Sequence, residues 1–303
     1  MGRALRVGII LPMFSGDPGK VLAAARAAEE LGYDGAFVFD HFFPPGGSPD
    51  RPALEAFSTL AAVAAVTERV TLGTLVTRAV LRPAGLLAKM ASTIDLISGG
   101  RMVVGIGTGD PIDRPEHYAF GFPNLGVAER RAHLAETASA IKALFRGEVF
   151  EGGKHVPRLE GPVLPPPVQR GGPPVWLGAQ SDEVVRMAGR LADGWNGWGL
   201  PPAEFRQKTK LLQEEAERAG RRAEATWAGI VLVGEDEAEA ADLVEARREK
   251  GMDDSLAWSG SANGFAGHLR DLAEAGATWA IMVLAGPAGR RELVAERVLT
   301  SLS

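Results

Sequence analysis

The chain has 303 residues, 46% of them hydrophobic, and its 33 basic against 38 acidic side chains give a net charge of −5. It has no basic block able to follow a phosphate backbone and no run near the roughly 20 apolar residues of a membrane helix. It also has no cysteine, which excludes disulfides, thiolate metal sites and a cysteine nucleophile.

These properties predict a soluble, cytoplasmic protein that binds neither nucleic acid nor membrane. Its length suits one barrel of roughly 250 residues or more as a single domain. Arg6 to Pro12 (RVGIILP) reads as a first strand, and Pro18 to Leu31 as a helix with Val21, Ala25, Ala28 and Leu31 on one face and Gly32 as its cap. Ala36 to Asp40 is a second strand ending in Asp40-His41, followed by a Pro- and Gly-rich loop, Phe42 to Pro52, and a helix from Ala53 to Thr67. Thr71 to Thr77 is β-branched and apolar. Arg82-Pro83 then opens a helix with Leu87, Met90, Ile94 and Ile97 at helical spacing, which Gly99-Gly100 stops. Arg101 to Gly109 is a nearly continuous apolar run, as a strand buried on both faces of a parallel sheet requires, and this completes a βαβ crossover. Asp110 to Asn124 reads as a long loop, and Gly126 to Phe145 as a helix carrying Leu134, Ala138, Ile141 and Leu144.

Arg146 to Pro173 breaks the alternation with many prolines and glycines, and an excursion of this length predicts a functional segment or lid. Strands then follow at Pro174 to Ala179, Gly194 to Trp198, Thr226 to Gly234 and Thr278 to Leu284. The helices between and after them are Asp182 to Leu191, Pro202 to Ala219, Glu235 to Lys250, Asn263 to Ala275 and a C-terminal one. About eight βα units predict a TIM (β/α)8 barrel with residues 146–173 inserted after the fourth helix. The alternative, a doubly wound open sheet, lacks its G-x-G-x-x-G fingerprint after the first strand.

In a barrel, chemistry sits where strands end, which selects Asp40, His41, Thr108, Asp110, Gln180, Ser181, Asn196 and Trp198. His41 suits proton transfer near neutral pH, with a packed loop histidine as the competing reading. Asp110 follows Gly107-Thr108-Gly109, where missing side chains admit a ligand, and competes with an aspartate that caps a turn. Asp40, His41, Asp110 and His117 offer oxygen and nitrogen donors. No His-x-His or His-Glu-x-x-His spacing joins two of them on one face, so no metal is expected. Schiff-base chemistry is disfavoured because Lys20, Lys89, Lys142, Lys208 and Lys250 lie on helices or loops. Leu177 to Ser181 enters a helix at Asp182, which could offer amides to a phosphate. On spacing alone Ser181 as N-cap is preferred, since Asp182 and Glu183 must face away from any anion.

Five segments, taken in this order, resemble the bacterial luciferase-like superfamily of flavin- and deazaflavin-dependent oxidoreductases, over Arg6 to about Leu284. They are Gly32-Tyr33-Asp34 to Phe39-Asp40-His41-Phe42, Leu72 to Thr77, Arg82-Pro83-Ala84, Ser98-Gly99-Gly100-Arg101 to Gly109, and Ala192-Asp193-Gly194-Trp195. The resemblance implies a TIM barrel with an insertion, usually dimeric, that holds FMN or coenzyme F420 at its C-terminal face. Asp40-His41 matches a pair that F420-dependent members carry after strand two. It implies His41 as proton donor or ring-orienting group and Asp40 as its support or a cofactor contact. Asp110 falls where some relatives place a glutamate acid, though its shorter side chain reaches less far. Leu75-Val76 matches a non-proline cis peptide under the cofactor ring, with Thr74 and Thr108 among the cofactor contacts, and the Gly178, Ala179, Gln180 and Ser181 amides match a phosphate grip. Trp195, Trp198, Phe42 and Phe43 are expected as apolar pocket walls, with ordinary core packing as the competing reading for each, stronger for Trp195 than for Trp198. The function so implied is F420-dependent hydride transfer to or from a small carbonyl, enone or imine, in a homodimer supplied by a separate F420 or flavin reductase. The alternatives are an FMN-dependent monooxygenase fed with FMNH2 and a flavin-binding barrel without turnover.

Overall fold

The computed structural model describes residues 3–45 and 49–302, so positions 46–48 of the Pro- and Gly-rich loop lie outside the described residues. Eight parallel strands close into a barrel: β1 (Arg6–Ile10), β2 (Gly35–Val38), β3 (Thr71–Arg78), β4 (Met102–Gly107), β5 (Val175–Gly178), β6 (Gly194–Trp198), β7 (Glu224–Gly234) and, after an extra strand β8 (Ala257–Ser261), β9 (Ala277–Leu284). Each pairs with the next, and β9 closes the ring by pairing with both β7 and β1. This is the predicted TIM barrel, and its eight staves are the eight strands expected from the apolar runs.

Two elements depart from expectation. β8 (AWSGS) lies outside the barrel against the far half of β7, from Ile230 to Gly234, where β7 outruns its barrel neighbours. Its five residues carry no apolar alternation. The segment expected as a loop after β4 instead contains α4 (Arg114–Phe120), seven residues long and too short for a helical period to show. The helices before and around it are α1 (Pro18–Glu30), α2 (Ala56–Val66), α3 (Ala84–Ser98), α5 (Val127–Phe145) and α6 (Asp182–Leu191).

The barrel interior is filled by aromatic rings. Phe37 stacks on Trp176 at 5.9 Å and meets Trp279 edge-on at 5.6 Å. Leu75, Val103, Ala228 and Ile281 complete this inner cluster. Three large rings fit because glycines stand beside them, Gly35 two residues before Phe37 on β2 and Gly194 on β6 next to Trp176 of β5. A Cβ at Gly35 would lie 2.6 Å from the Phe37 ring, and one at Gly194 2.6 Å from Trp176. Edge-to-face and offset stacking add to their area burial. Ile10, Val76 and Trp198, only partly buried, sit on this plug and form the floor of the C-terminal mouth.

Residues 146–173 pack on the outer helix layer. Glu136 of α5 accepts backbone N–H groups from Lys154, His155 and Val156. Asp95 of α3 accepts from the Gln169 backbone N–H and side-chain amide. These contacts strap α3 to α5.

His268 carries a pH-dependent part of the stability. It packs among Trp227, Trp258 and Phe265, and burial pushes its imidazole down from 6.5 to about 4. The unfolded chain binds the proton near 6.5 and the folded chain only near 4, so folding loses stability as pH falls through that window. The loss runs at about 1.4 kcal/mol per pH unit, about 3 kcal/mol in all. Urea midpoints measured from pH 7 to 4 should fall more steeply for the native chain than for His268→Phe.

Candidate active site at the barrel mouth

The site begins with the pleat of β2 and the residues just after it. Phe37 faces the barrel interior and Ala36 and Val38 the helix layer, and this alternation of faces continues past the strand end. Phe39 and His41 therefore turn into the mouth. Phe39 packs 5.8 Å from Trp198 and 6.0 Å from Phe14, and His41 lies 6.1 Å from Phe39 and 6.3 Å from Phe14. Asp40 points the other way.

Its carboxylate is held by Arg82 at the start of α3, at 2.5 and 3.2 Å, and Arg82 also binds Glu55 and the Thr77 hydroxyl. Asp40 is thus not the support of His41; successive residues of an extended chain face opposite sides. Its backbone oxygen accepts from Arg78 at 3.4 Å.

The partner of His41 is Glu116 of α4. The imidazole Nδ1 lies 2.7 Å from Glu116 Oε1, and Glu116 is 1% exposed. The other oxygen, Oε2, accepts from the Phe42 backbone N–H at 3.1 Å and from Arg78 at 2.5 Å. Arg78, the last residue of β3, is itself buried and lies 3.7 Å from Asp113, which is also 3.7 Å from His41. Burial alone would raise the Glu116 pKa. The hydrogen bond and charge of His41, the Phe42 amide and the Arg78 guanidinium outweigh it and hold the carboxyl below its ordinary range. An ionised carboxylate only accepts, so His41 must donate through Nδ1, which leaves Nε2 as the nitrogen that takes or gives a proton. His41, Asp113 and Glu116 stand close enough to share a metal ion, but Arg78 already supplies the cation between the two carboxylates.

Asp110 does not join this group. Its carboxylate caps the following turn by accepting from the Ile112 N–H at 3.3 Å, the turn-capping alternative, and Asp113 closes the box by accepting from the Asp110 N–H. Glu116, Asp113 and Arg78 carry no motif. Only Arg78, a charged residue at a strand end, was open to the strand-end rule.

The floor of the mouth is shaped by a bulge in β3. Thr74 pairs with Val104 and Thr77 with Ile106, so β3 carries one residue more than β4 here, and the Leu75-Val76 peptide bond is cis, as the resemblance implied. The Thr74 hydroxyl stitches the bulge to both backbone groups of Gly105, and this leaves it no free hydrogen for a ligand. Val76 is raised over three glycines. A Cβ at Gly107 would lie 2.7 Å from Val76 and one at Gly178 2.8 Å, while one at Gly105 would meet the Thr74 carbonyl at 2.2 Å.

At the end of β5, Gly178 and Ala179 lead to Gln180 and Ser181, the N-cap of α6, whose hydroxyl makes no capping bond. Ala179 N–H is used by Asn196, and Gln180 reaches the Trp198 carbonyl. The two first-turn acids do face away: Asp182 binds Lys208 at 2.6 Å and Glu183 pairs with Arg131 at 3.4 Å. The Thr108 hydroxyl bonds the Gly109 carbonyl. Of the expected walls, Trp198 lines the mouth. Phe42 instead packs at a tilt against Phe120 and Phe122, and Phe43 is buried. Trp195 is core, stacked on Phe205.

A profile of the luciferase-like monooxygenase family matches residues 5–300. The chain belongs to that family. Among solved structures, this luciferase-like chain is similar to monooxygenase RslO1 from Streptomyces bottropensis, with 25% identity, 99% of this chain and 100% of that one covered, and a TM-score of 0.79. It also shares its fold with an F420-dependent secondary alcohol dehydrogenase solved with an F420-acetone adduct (17% identity, 100% of both chains, TM-score 0.85). The EDTA monooxygenase EmoA from Chelativorans sp. BNC1 is similar at 16% identity, over 99% of this chain and 94% of that one, with a TM-score of 0.80. Members and neighbours of this family are oxidoreductases, and the luciferase-like chain is an oxidoreductase of the same kind.

Proposed function

We propose that the protein uses F420 to move a hydride between the deazaflavin and a small carbonyl, enone or imine, and that His41 handles the accompanying proton. The observation that carries this is the 2.7 Å bond from His41 Nδ1 to a buried, ionised Glu116, which fixes an acid–base nitrogen at the mouth.

The residues present suit a flavin-like group. Val76 on its bulge offers an apolar support, Trp198 and Phe39 offer walls, and the first turn of α6 presents amides to a phosphate with its acids turned to Lys208 and Arg131. When bound, the deazaflavin supplies the hydride chemistry. The chain supplies position, an apolar floor that excludes water, and a proton at His41 Nε2. Glu116 holds the imidazole in one tautomer and remains charged throughout, while Arg78 and Asp113 fix Glu116 in turn.

The second reading, an FMN-dependent monooxygenase supplied by a separate reductase, is supported by the 25% identity to monooxygenase RslO1. Fluorescence quenching with F420 and FMN side by side separates the two. Tighter binding of F420 is expected; tight FMN binding with weak F420 binding would favour the monooxygenase, and binding of neither would leave a barrel without this cofactor.

A further inference from the structure

Three rings at the mouth form a corner around the acid–base nitrogen. Phe14, Phe39 and His41 have centroids 6.0, 6.1 and 6.3 Å apart, and all three are partly exposed. Phe14 lies past the end of β1, on a stretch anchored by the buried Met13 side chain and by the Met13 carbonyl, which accepts the Leu54 N–H at 3.1 Å. Phe39 lies directly after β2, its direction set by the pleat. Trp198 packs on Phe39 and, among the described residues, makes no ring contact with His41. A molecule that exchanges a proton with His41 Nε2 therefore rests its body against Phe14 and Phe39. Phe39 also serves the cofactor as a wall, so Phe14 is the ring left to the substrate alone.

The charges around this corner are already matched. Arg78 is buried and bound to Glu116. Arg82 is bound to Asp40 and Glu55 and lies 4.6 Å over the Phe57 ring of α2. His41, when protonated, faces Glu116 at 2.7 Å. None of the three is left to counter a charge on a ligand, and a carboxylate or phosphate brought among these rings would lose its hydration without gaining a partner. A second aromatic ring, by contrast, packs on them edge-on or offset with a gain beyond the area it buries.

We infer that the substrate of this site is an uncharged aryl ketone, aryl enone or aryl imine, with its carbonyl or imine group at His41, its ring on Phe14 and Phe39, and Phe14 as the specificity-determining residue. The inference rests on the proton role of His41 in the proposed function and narrows the substrate class of that same site.

The test compares kcat/KM for three enones, phenyl-substituted, methyl-substituted and para-carboxyphenyl-substituted, using whichever of F420 and FMN the chain binds. The native chain should favour the phenyl over the methyl compound about tenfold, and over the carboxylate about 100-fold. Phe14→Leu, which keeps apolar bulk and loses the ring, should bring the phenyl-to-methyl ratio toward one. Phe14→Arg, which offers a planar cation, should raise the carboxylate-to-phenyl ratio at least tenfold. A native chain that treats the three alike, or ratios that neither Phe14 variant moves, would overturn the inference while leaving the hydride-transfer reading intact. If no enone turns over, that reading falls, and calorimetric affinities of the cofactor-loaded chain for the same three compounds decide the inference by the same ratios.

Discussion

His41→Ala should slow turnover by about 10²–10⁴-fold while cofactor affinity stays close to that of the native chain. The expectation follows from the division of labour at the mouth. His41 borders the apolar walls Phe39 and Phe14, its imidazole is tethered among the described residues through Nδ1, and its removal leaves Glu116 still bonded to Arg78 and the Phe42 amide. The bulge at Val76 and the α6 amides, which would carry the cofactor, do not touch it. Steady-state rates together with cofactor titration check this. An unchanged rate would remove His41 from the chemistry, and a large loss of cofactor binding would make it a binding group instead.

Glu116→Gln should have the second-largest effect, and it should appear in stability as well as in rate. The substituted amide can still accept from His41 through its oxygen. Its NH2 then faces two donors, Arg78 and the Phe42 N–H, and the buried guanidinium loses its nearest counter-charge. Breaking a buried pair by neutralising one partner costs about 3–5 kcal/mol, and the cost here should stand toward the lower figure because Asp113 remains 3.7 Å from Arg78. Loss of the negative charge facing His41 Nδ1 should also lower turnover and alter its pH profile. Glu116→Asp, which restores charge on a shorter arm, should recover stability more than rate. Denaturant titration and pH–rate profiles of the two variants provide the check. A Glu116→Gln variant of native stability and native pH profile would show that Glu116 does not position His41.

The barrel was legible because its staves are written as apolar runs: RVGIILP, the stretch from Thr71 to Thr77 and the run from Arg101 to Gly109 all became strands at the expected places. Two elements were not legible. α4 has seven residues, under two full helical turns, and β8 carries no apolar alternation and pairs only with the end of β7 that extends past β6.

The site divided along the same line. His41, Trp198 and the Leu75-Val76 bulge lie at strand ends or within a recognisable segment. Glu116 lies 75 residues from His41 on the helix that was read as loop, so no spacing could join them. Asp40 shows the converse. Adjacency in sequence suggested that it supports His41, yet the pleat sends the two residues to opposite faces and gives Asp40 to Arg82.

The most direct measurement is anaerobic turnover of the purified protein with F420H2 and a panel of enones, imines and ketones, followed by the return of oxidised-deazaflavin absorbance. Substrate-dependent oxidation without oxygen, giving a product that has gained two hydrogens, is expected of an F420-dependent hydride transfer. Consumption of FMNH2 alone, and only with oxygen, with an oxygen atom entering the product, would contradict it.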